Sequence, residues 1–176
     1  MCKVFKNKNG FTLLEVLSVL VLMGILTAFA VSRSVNYDAE VYSGADALKS
    51  HLRYAQTLAM NSNPSAGISV WGISGTSNSY WLFQGTNSAD TNSYMRLPDD
   101  DKFIDANRTI NLTTKKIKLT AAFTIYFDNR GIPYTAYTNS TTNTPLSSSM
   151  TINVQPLTSA STNIAVTITP QTGYIP

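Results

Sequence analysis

The sequence predicts an α+β protein in which one long N-terminal helix packs on an antiparallel β-sheet or small β-sandwich. Three observations predict it. Residues 11–31 are almost wholly apolar. Apolar residues then recur at steps of three and four as far as Ala59, the period of one helix face. From residue 65 the chain turns to short β-rich runs between polar turns, the pattern of antiparallel strands with one buried face.

The first ten residues are basic and carry no Asp or Glu. Of the 13 Lys and Arg, three (Lys3, Lys6 and Lys8) precede Gly10, which leaves ten to balance the ten Asp and Glu. The formal charge of +3 therefore belongs to a leader, residues 1–10, and not to a nucleic-acid-binding surface. The single cysteine, Cys2, also lies there, so the rest of the chain makes no internal disulfide and no thiolate metal site. Residues 11–31 match the ~20 residues that span a bilayer as a helix. The positive flank places the N-terminus in the cytoplasm and the later residues outside it. An ordinary secretory signal is the competing reading, with Ala28 and Ala30 imitating its cut site, but its apolar stretch is shorter, about 7–15 residues. Glu15 separates the two. A carboxylate inside an apolar run costs about 2.5–3.5 kcal/mol or more, and it is tolerated when it lies near an interface or finds a partner. Cleavage after Gly10 would make one, the new amino group of Phe11 on a neighbouring subunit.

Residues 32–64 continue the helix in amphipathic form. Val41, Ala45, Leu48, Leu52, Ala55 and Ala59 form one stripe, with Arg33, Asp38, Glu40, Asp46, Lys49 and Arg53 mostly off it. Asn61-Ser62-Asn63-Pro64 is a stop signal. A single helix from residue 11 to about residue 60 would be about 75 Å long, with Gly24 and Gly44 as its weak points. Residues 65–176 form the β-rich part of a body shared with residues 32–64. Strands are expected at 67–73, 80–83, 109–112, 116–119, 123–127, 133–137, 150–154 and 164–168. Ser-, Thr-, Asn- and Gly-rich linkers fall at 74–79, 85–93 and 138–149.

Gly10-Phe11-Thr12-Leu13-Leu14-Glu15-Val16-Leu17 resembles the G-F-T-L-[LIV]-E-[LMV] signature of type IV prepilins and type II secretion pseudopilins. The resemblance implies a type IV pilin-like fold and a prepilin peptidase that cuts between Gly10 and Phe11 and methylates the Phe11 amine. It also implies a helix of residues 11–31 kept as a membrane anchor and then as filament core, and a salt bridge from Glu15 in the assembly. The partners it implies are other pilins or pseudopilins and the inner-membrane assembly platform. The location it implies is a single-pass inner-membrane protein with a periplasmic body, then a filament. Three further segments resemble GspH/FimT-type minor pseudopilins: Leu52-Arg53-Tyr54-Ala55-Gln56-Thr57-Leu58-Ala59-Met60, Phe127-Asp128-Asn129-Arg130-Gly131, and Val166-Thr167-Ile168-Thr169-Pro170-Gln171-Thr172-Gly173. MSHA-type minor pilins fit about equally well. The function expected is a minor subunit that helps initiate or cap a filament.

The alternative is a DNA-binding minor pilin for natural transformation, with Lys115, Lys116 and Lys118 as its candidate contacts. Phosphate binding needs several converging cations, and the final residues 172–176 carry no Lys or Arg, so no nucleic-acid partner is expected. His51, the sole histidine, reads as a surface or boundary residue. Asp99, Asp100, Asp101 and nearby Asp105 offer oxygen ligands, but their spacing matches no calcium loop and reads as a solvated turn. No nucleophile, phosphate-loop or zinc motif is present. No enzyme activity, cofactor or metal is expected.

Overall fold

The computed structural model describes residues 12–34, 36–63, 70–158 and 162–176, with side chains left out at residues 29–38. It falls into two compact units, Met1–Asn36 and Tyr37–Pro176. Among its described residues the first unit carries α1 (Leu13–Ser34). Thr12 stands at its N-terminal end and accepts the Glu15 N–H at its carbonyl (3.0 Å) and its Oγ1 (3.3 Å), which satisfies a donor that the first turn leaves open. The described apolar side chains of α1 are exposed on every side, from Leu13 (84%) and Leu14 to Ile25 and Leu26. Two of its hydroxyls are satisfied within the helix: Ser18 donates to the Glu15 carbonyl and Thr27 to the Met23 carbonyl. Such back-bonding satisfies a hydroxyl without a partner from outside the helix.

The second unit is built on α2 (Asn36–Met60). Val41, Ala45, Leu48, Leu52, Ala55 and Ala59 are each at most 1% exposed, so the sequence stripe is the buried stripe. The helix stops where the Asn-Ser-Asn signal lies: Asn61 and Ser62 N–H close on Thr57 and Ala59 carbonyls. The Ser62 hydroxyl bonds Leu58 and receives the Trp71 indole at 2.7 Å.

Among the described residues ten strands follow: β1 Trp71–Gly75, β2 Ser79–Gln84, β3 Tyr94–Met95, β4 Ile110–Asn111, β5 Ile117–Leu119, β6 Phe123–Phe127, β7 Pro133–Tyr137, β8 Asn143–Pro145, β9 Met150–Pro156 and β10 Ile164–Ile168. A seven-stranded sheet runs β3-β2-β1-β6-β7-β8, with β4 also paired to β2, and a three-stranded sheet runs β10-β9-β5. All pairings are antiparallel. The α2 stripe, one face of the large sheet (Ile73, Leu82, Ile125) and the inward residues of the small one (Ile117, Leu119, Val154, Val166) share one core. The α+β class expected from the sequence is thus the one observed, consistent with a type IV pilin-like fold.

The other face of the large sheet carries a second cluster. Register aligns Tyr94, Phe83, Gly72, Tyr126 and Tyr134 across five neighbouring strands. Gly72 is the gap in this aromatic row: a Cβ there would strike the Phe83 ring and the Ile125 carbonyl. Phe83 and Tyr126 meet edge to face, with centroids 5.2 Å apart, a favoured aromatic geometry. The linker after β2 folds over this face, where the Ser88 and Thr86 carbonyls accept from Trp81 Nε1 and the Tyr126 hydroxyl.

Candidate assembly site

Gly10 and Phe11, the expected cleavage and methylation residues, lie outside the described residues. Glu15 sits in the first turn of α1 and is exposed. Thr12 and Glu15 have the spacing of a capping box, in which the acid at the third helical position serves the N-terminal end of its own helix. Glu15 therefore has a local role available beside the intersubunit one that the resemblance implies. Among the described residues no helix is long and apolar enough to cross a membrane. Side chains of α1 are described only as far as residue 28, and the apolar run begins at Phe11, outside them.

The three later segments that carry the finer resemblance, far apart in sequence, meet in space. Gln56 Nε2 on α2 donates to the Gly131 carbonyl at 2.9 Å and to the Thr172 carbonyl at 3.0 Å. Arg53 donates from Nε (3.2 Å) and Nη2 (2.8 Å) to the Ile175 carbonyl. Gly131 and Gly173 both have positive φ, 78° and 61°, a region open to glycine at little cost. A Cβ on Gly173 would also run into Gln56 Nε2 and the Gly131 carbonyl, at 2.7 and 2.8 Å. Asp128 fixes the intervening turn. It is buried and accepts from the Arg130 and Ile132 N–H groups, the Arg130 side chain and the Tyr134 hydroxyl. This carboxylate holds the Arg130 guanidinium above its ordinary pKa.

The three lysines do not form one cationic face. Lys115, in the turn before β5, lies 2.6 Å from Asp99, and both side chains are only 12% exposed. Lys116, with a left-handed φ of 58°, pairs with Glu40 on α2 at 3.0 Å. Lys118 lies within β5, opposite Gln155 of β9. The expected strand 116–119 begins one residue later, at Ile117, so a turn holds both Lys115 and Lys116 and only Lys118 is on β5.

The aspartates diverge too. Asp99 meets Lys115, Asp100 caps a short 3₁₀ turn (Asp101–Phe103), Asp101 meets Arg96, and Asp105 accepts from Asn107 and Thr109. Among the described residues no group of acids, histidine or cysteine is arranged to hold a metal ion. The solvated-turn reading needs correction at Asp99, whose charge is sequestered by Lys115.

His51 also needs correction. It is 3% exposed, with Nδ1 2.8 Å from the Tyr80 hydroxyl and Nε2 3.3 Å from the Pro98 carbonyl. A signal for this was present: Gly44, Leu48, His51 and Ala55 follow the 3-4 period as closely as the apolar stripe does. A search for apolar residues alone passes over it.

The prokaryotic N-terminal methylation motif matches residues 5–31. No curated protein and no solved structure matches the chain. The motif supports a type IV prepilin-like chain, a structural subunit and not an enzyme. It implies processing by a prepilin peptidase and assembly with other pilins.

Proposed function

We propose that this chain is a minor pilin or pseudopilin of the GspH/FimT-like kind, inserted in the inner membrane through residues 11–31 and then assembled into a type IV pilus or type II secretion pseudopilus. The observation that carries this reading is the methylation motif over residues 5–31, which joins a basic leader to an apolar helix. The exposed circumference of α1 supports it, because large apolar surface on a folded protein marks an interface with lipid or protein. The meeting of Arg53, Gln56, Gly131 and Gly173 supports the finer, GspH/FimT-like part, since the three resembling segments act as one contact. In this reading the peptidase cuts between Gly10 and Phe11 and methylates the new amine, and Glu15 pairs with the Phe11 amine of a neighbour. The engagement of Lys115 and Lys116 by carboxylates leaves the DNA-binding alternative without a converging cationic surface.

Intact-mass analysis of the membrane-extracted protein tests the reading. A chain beginning at Phe11 and carrying one added methyl group is expected, and replacing Gly10 with a bulky residue should leave the precursor uncut. A mature chain beginning near Ser32 would overturn it in favour of an ordinary secretory signal.

A further inference from the structure

Most outer strands of the two sheets are closed to further pairing. β3 and β4 are two residues long, and the Tyr94 carbonyl on β3 accepts from Arg108 Nη1 at 2.7 Å. β8 is three residues long, ends in Pro145 and shifts register against β7. β5 spends its outward N–H groups within the body, Ile117 on the Leu112 carbonyl and Leu119 on that of Ser77. Short length, proline, irregularity and cover are the devices that stop a sheet edge from pairing. β10, the outer strand of the small sheet, is different. Its five residues, Ile164-Ala165-Val166-Thr167-Ile168, include no proline and no charge, and their register with β9 is unbroken.

The neighbouring bonds show which of its backbone groups are free. Asn153 of β9 accepts from the Thr120 N–H, and Leu157, just beyond β9, donates to the Lys116 carbonyl. The odd-numbered residues of β9 thus face β5, and Met150, Ile152 and Val154 face β10. They lie opposite Ile168, Val166 and Ile164. Directly opposed residues of an antiparallel pair exchange both bonds or neither, in alternation. Ala165 and Thr167 therefore point their N–H and C=O groups away from β9. Thr169, next in the same phase, shows the direction: its N–H donates to the Tyr174 carbonyl and its C=O accepts from Gly173, not from β9. Among the described residues no other element bonds the backbone of Ala165 or Thr167.

We propose that β10 is a strand-pairing surface whose partner is β10 of a second copy of this chain, antiparallel about Val166. This occupant supplies the groups that the edge lacks. Ala165 falls opposite the partner's Thr167, and Thr167 opposite the partner's Ala165. Each of these pairs exchanges two backbone bonds, and no free group of either residue is left over. Ile164, half-buried in one copy, comes opposite the partner's Ile168 in the closer kind of cross-strand pair. Neither β9 nor β10 carries a charge, so the edge does not repel its own image. The Tyr174 carbonyl at Thr169 ends the free edge there, and pairing stops at Ile168. So short a contact is small for a stable interface, and the pairing depends on concentration. It uses none of residues 11–31, so it stands or falls apart from assembly through α1.

Cysteine cross-linking of the full-length protein in mild detergent reads this register. In a Cys2→Ser background, differently tagged Ala165→Cys and Thr167→Cys chains are mixed and oxidised. In the proposed pair these two positions face each other at a Cα separation of about 5.5 Å, within the roughly 4.4–6.8 Å that a disulfide spans. Two copies of position 165, or two of position 167, would lie about 8 Å apart, beyond that reach. The mixed cross-link is expected at least about tenfold above either like pair. Association through α1 alone would not choose among the three. In wild type, amide exchange at Ala165 and Thr167 should slow as protein concentration rises, while Val166 and Ile168, bonded to β9, stay slow throughout. Ala165→Pro removes an outward N–H and keeps the bonds to β9, so Thr167 should lose its concentration dependence with Val166 and Ile168 still protected. Equal yields of the three cross-links, no cross-link, or wild-type exchange at Ala165 and Thr167 that ignores concentration would overturn the pairing. Should the cysteine variants fail to fold, the wild-type exchange decides.

Discussion

α1 and α2 are helices of similar length, 22 and 25 residues, yet they use apolar residues in opposite ways. α2 concentrates them in one stripe and buries that stripe in its own body. α1 carries them on every side and buries none of those described. Helix propensity does not distinguish the two, since both form. The distribution does. A stripe can be satisfied by one sheet surface, whereas an all-round apolar helix must be surrounded. Each large apolar side chain gains about 1.5–3 kcal/mol on full burial, so the exposed side chains described on α1 hold a strong drive towards burial. The lesson is that α2 serves folding and α1 serves association.

The largest effect expected from breaking this division is at Glu15, the acid in the apolar helix. Glu15→Ala and Glu15→Gln should insert and be cleaved like wild type, because removing a charge from an apolar run eases insertion. Recovery in sheared filaments with partner subunits should nevertheless fall about tenfold or more, since stranding one member of a water-excluded ion pair costs about 3–5 kcal/mol. Glutamine is the informative variant. It preserves the capping-box spacing with Thr12 and removes only the charge. If Glu15→Gln assembles normally, Glu15 acts as a cap and the pairing mechanism fails.

The next effect is on stability and has opposite sense in the two helices. Leu52→Ala, in the α2 stripe, should destabilise the body by about 2–5 kcal/mol through lost transfer energy and a cavity. Leu20→Ala, at an exposed site on α1, should shift it by no more than about 0.5 kcal/mol. Urea midpoints of the full-length protein in mild detergent measure both. Equal losses would mean that α1 contributes to the body's core.

Much of this contrast was legible in the sequence because periodicity carries it. The stripe from Val41 to Ala59 and strands β6, β7 and β10 match the expected ranges to the residue. β8 lies inside the expected linker 138–149: Asn143, Thr144 and Pro145 show no apolar alternation and bury little, and backbone pairing with β7 places the strand. β3 is two residues long, too short to show a period. The expected strand at 67–73 is observed as Trp71–Gly75, with residues 67–69 outside those described. His51 and Asp99 were misread for a different reason. His51 shares the helical period of the apolar stripe, but a search for apolar residues alone passes over it, and Asp99 is enclosed by Lys115, a pairing that leaves no local mark. The meeting of Gln56 with Gly131 and Thr172 likewise exists only once the fold brings the three segments together.

The smallest expected effect concerns the two helical glycines, which the sequence treats alike as weak points. The structure separates them. A Cβ on Gly24 of α1 meets nothing within 4 Å, while one on Gly44 of α2 would overlap Ile117 Cδ1. Gly44 is thus the place where α2 comes close to β5, and its lack of a side chain is used. Alanine at either position gains about 1 kcal/mol in helix propensity. At Gly24 that gain should appear unopposed, as slower amide exchange within α1 and an unchanged midpoint of the body. At Gly44 the gain is set against overpacking, which costs about 1–3 kcal/mol in a filled core, so Gly44→Ala should be neutral to about 2 kcal/mol destabilising. Ile117→Val identifies the cause, because it deletes the δ-methyl that collides. In a double-mutant cycle Gly44→Ala and Ile117→Val should couple favourably by about 0.5–3 kcal/mol, the valine background accepting the alanine better than wild type does. Additive behaviour would mean that the helix shifts as a whole to admit the methyl group, and that close approach to β5 is not what requires glycine at residue 44.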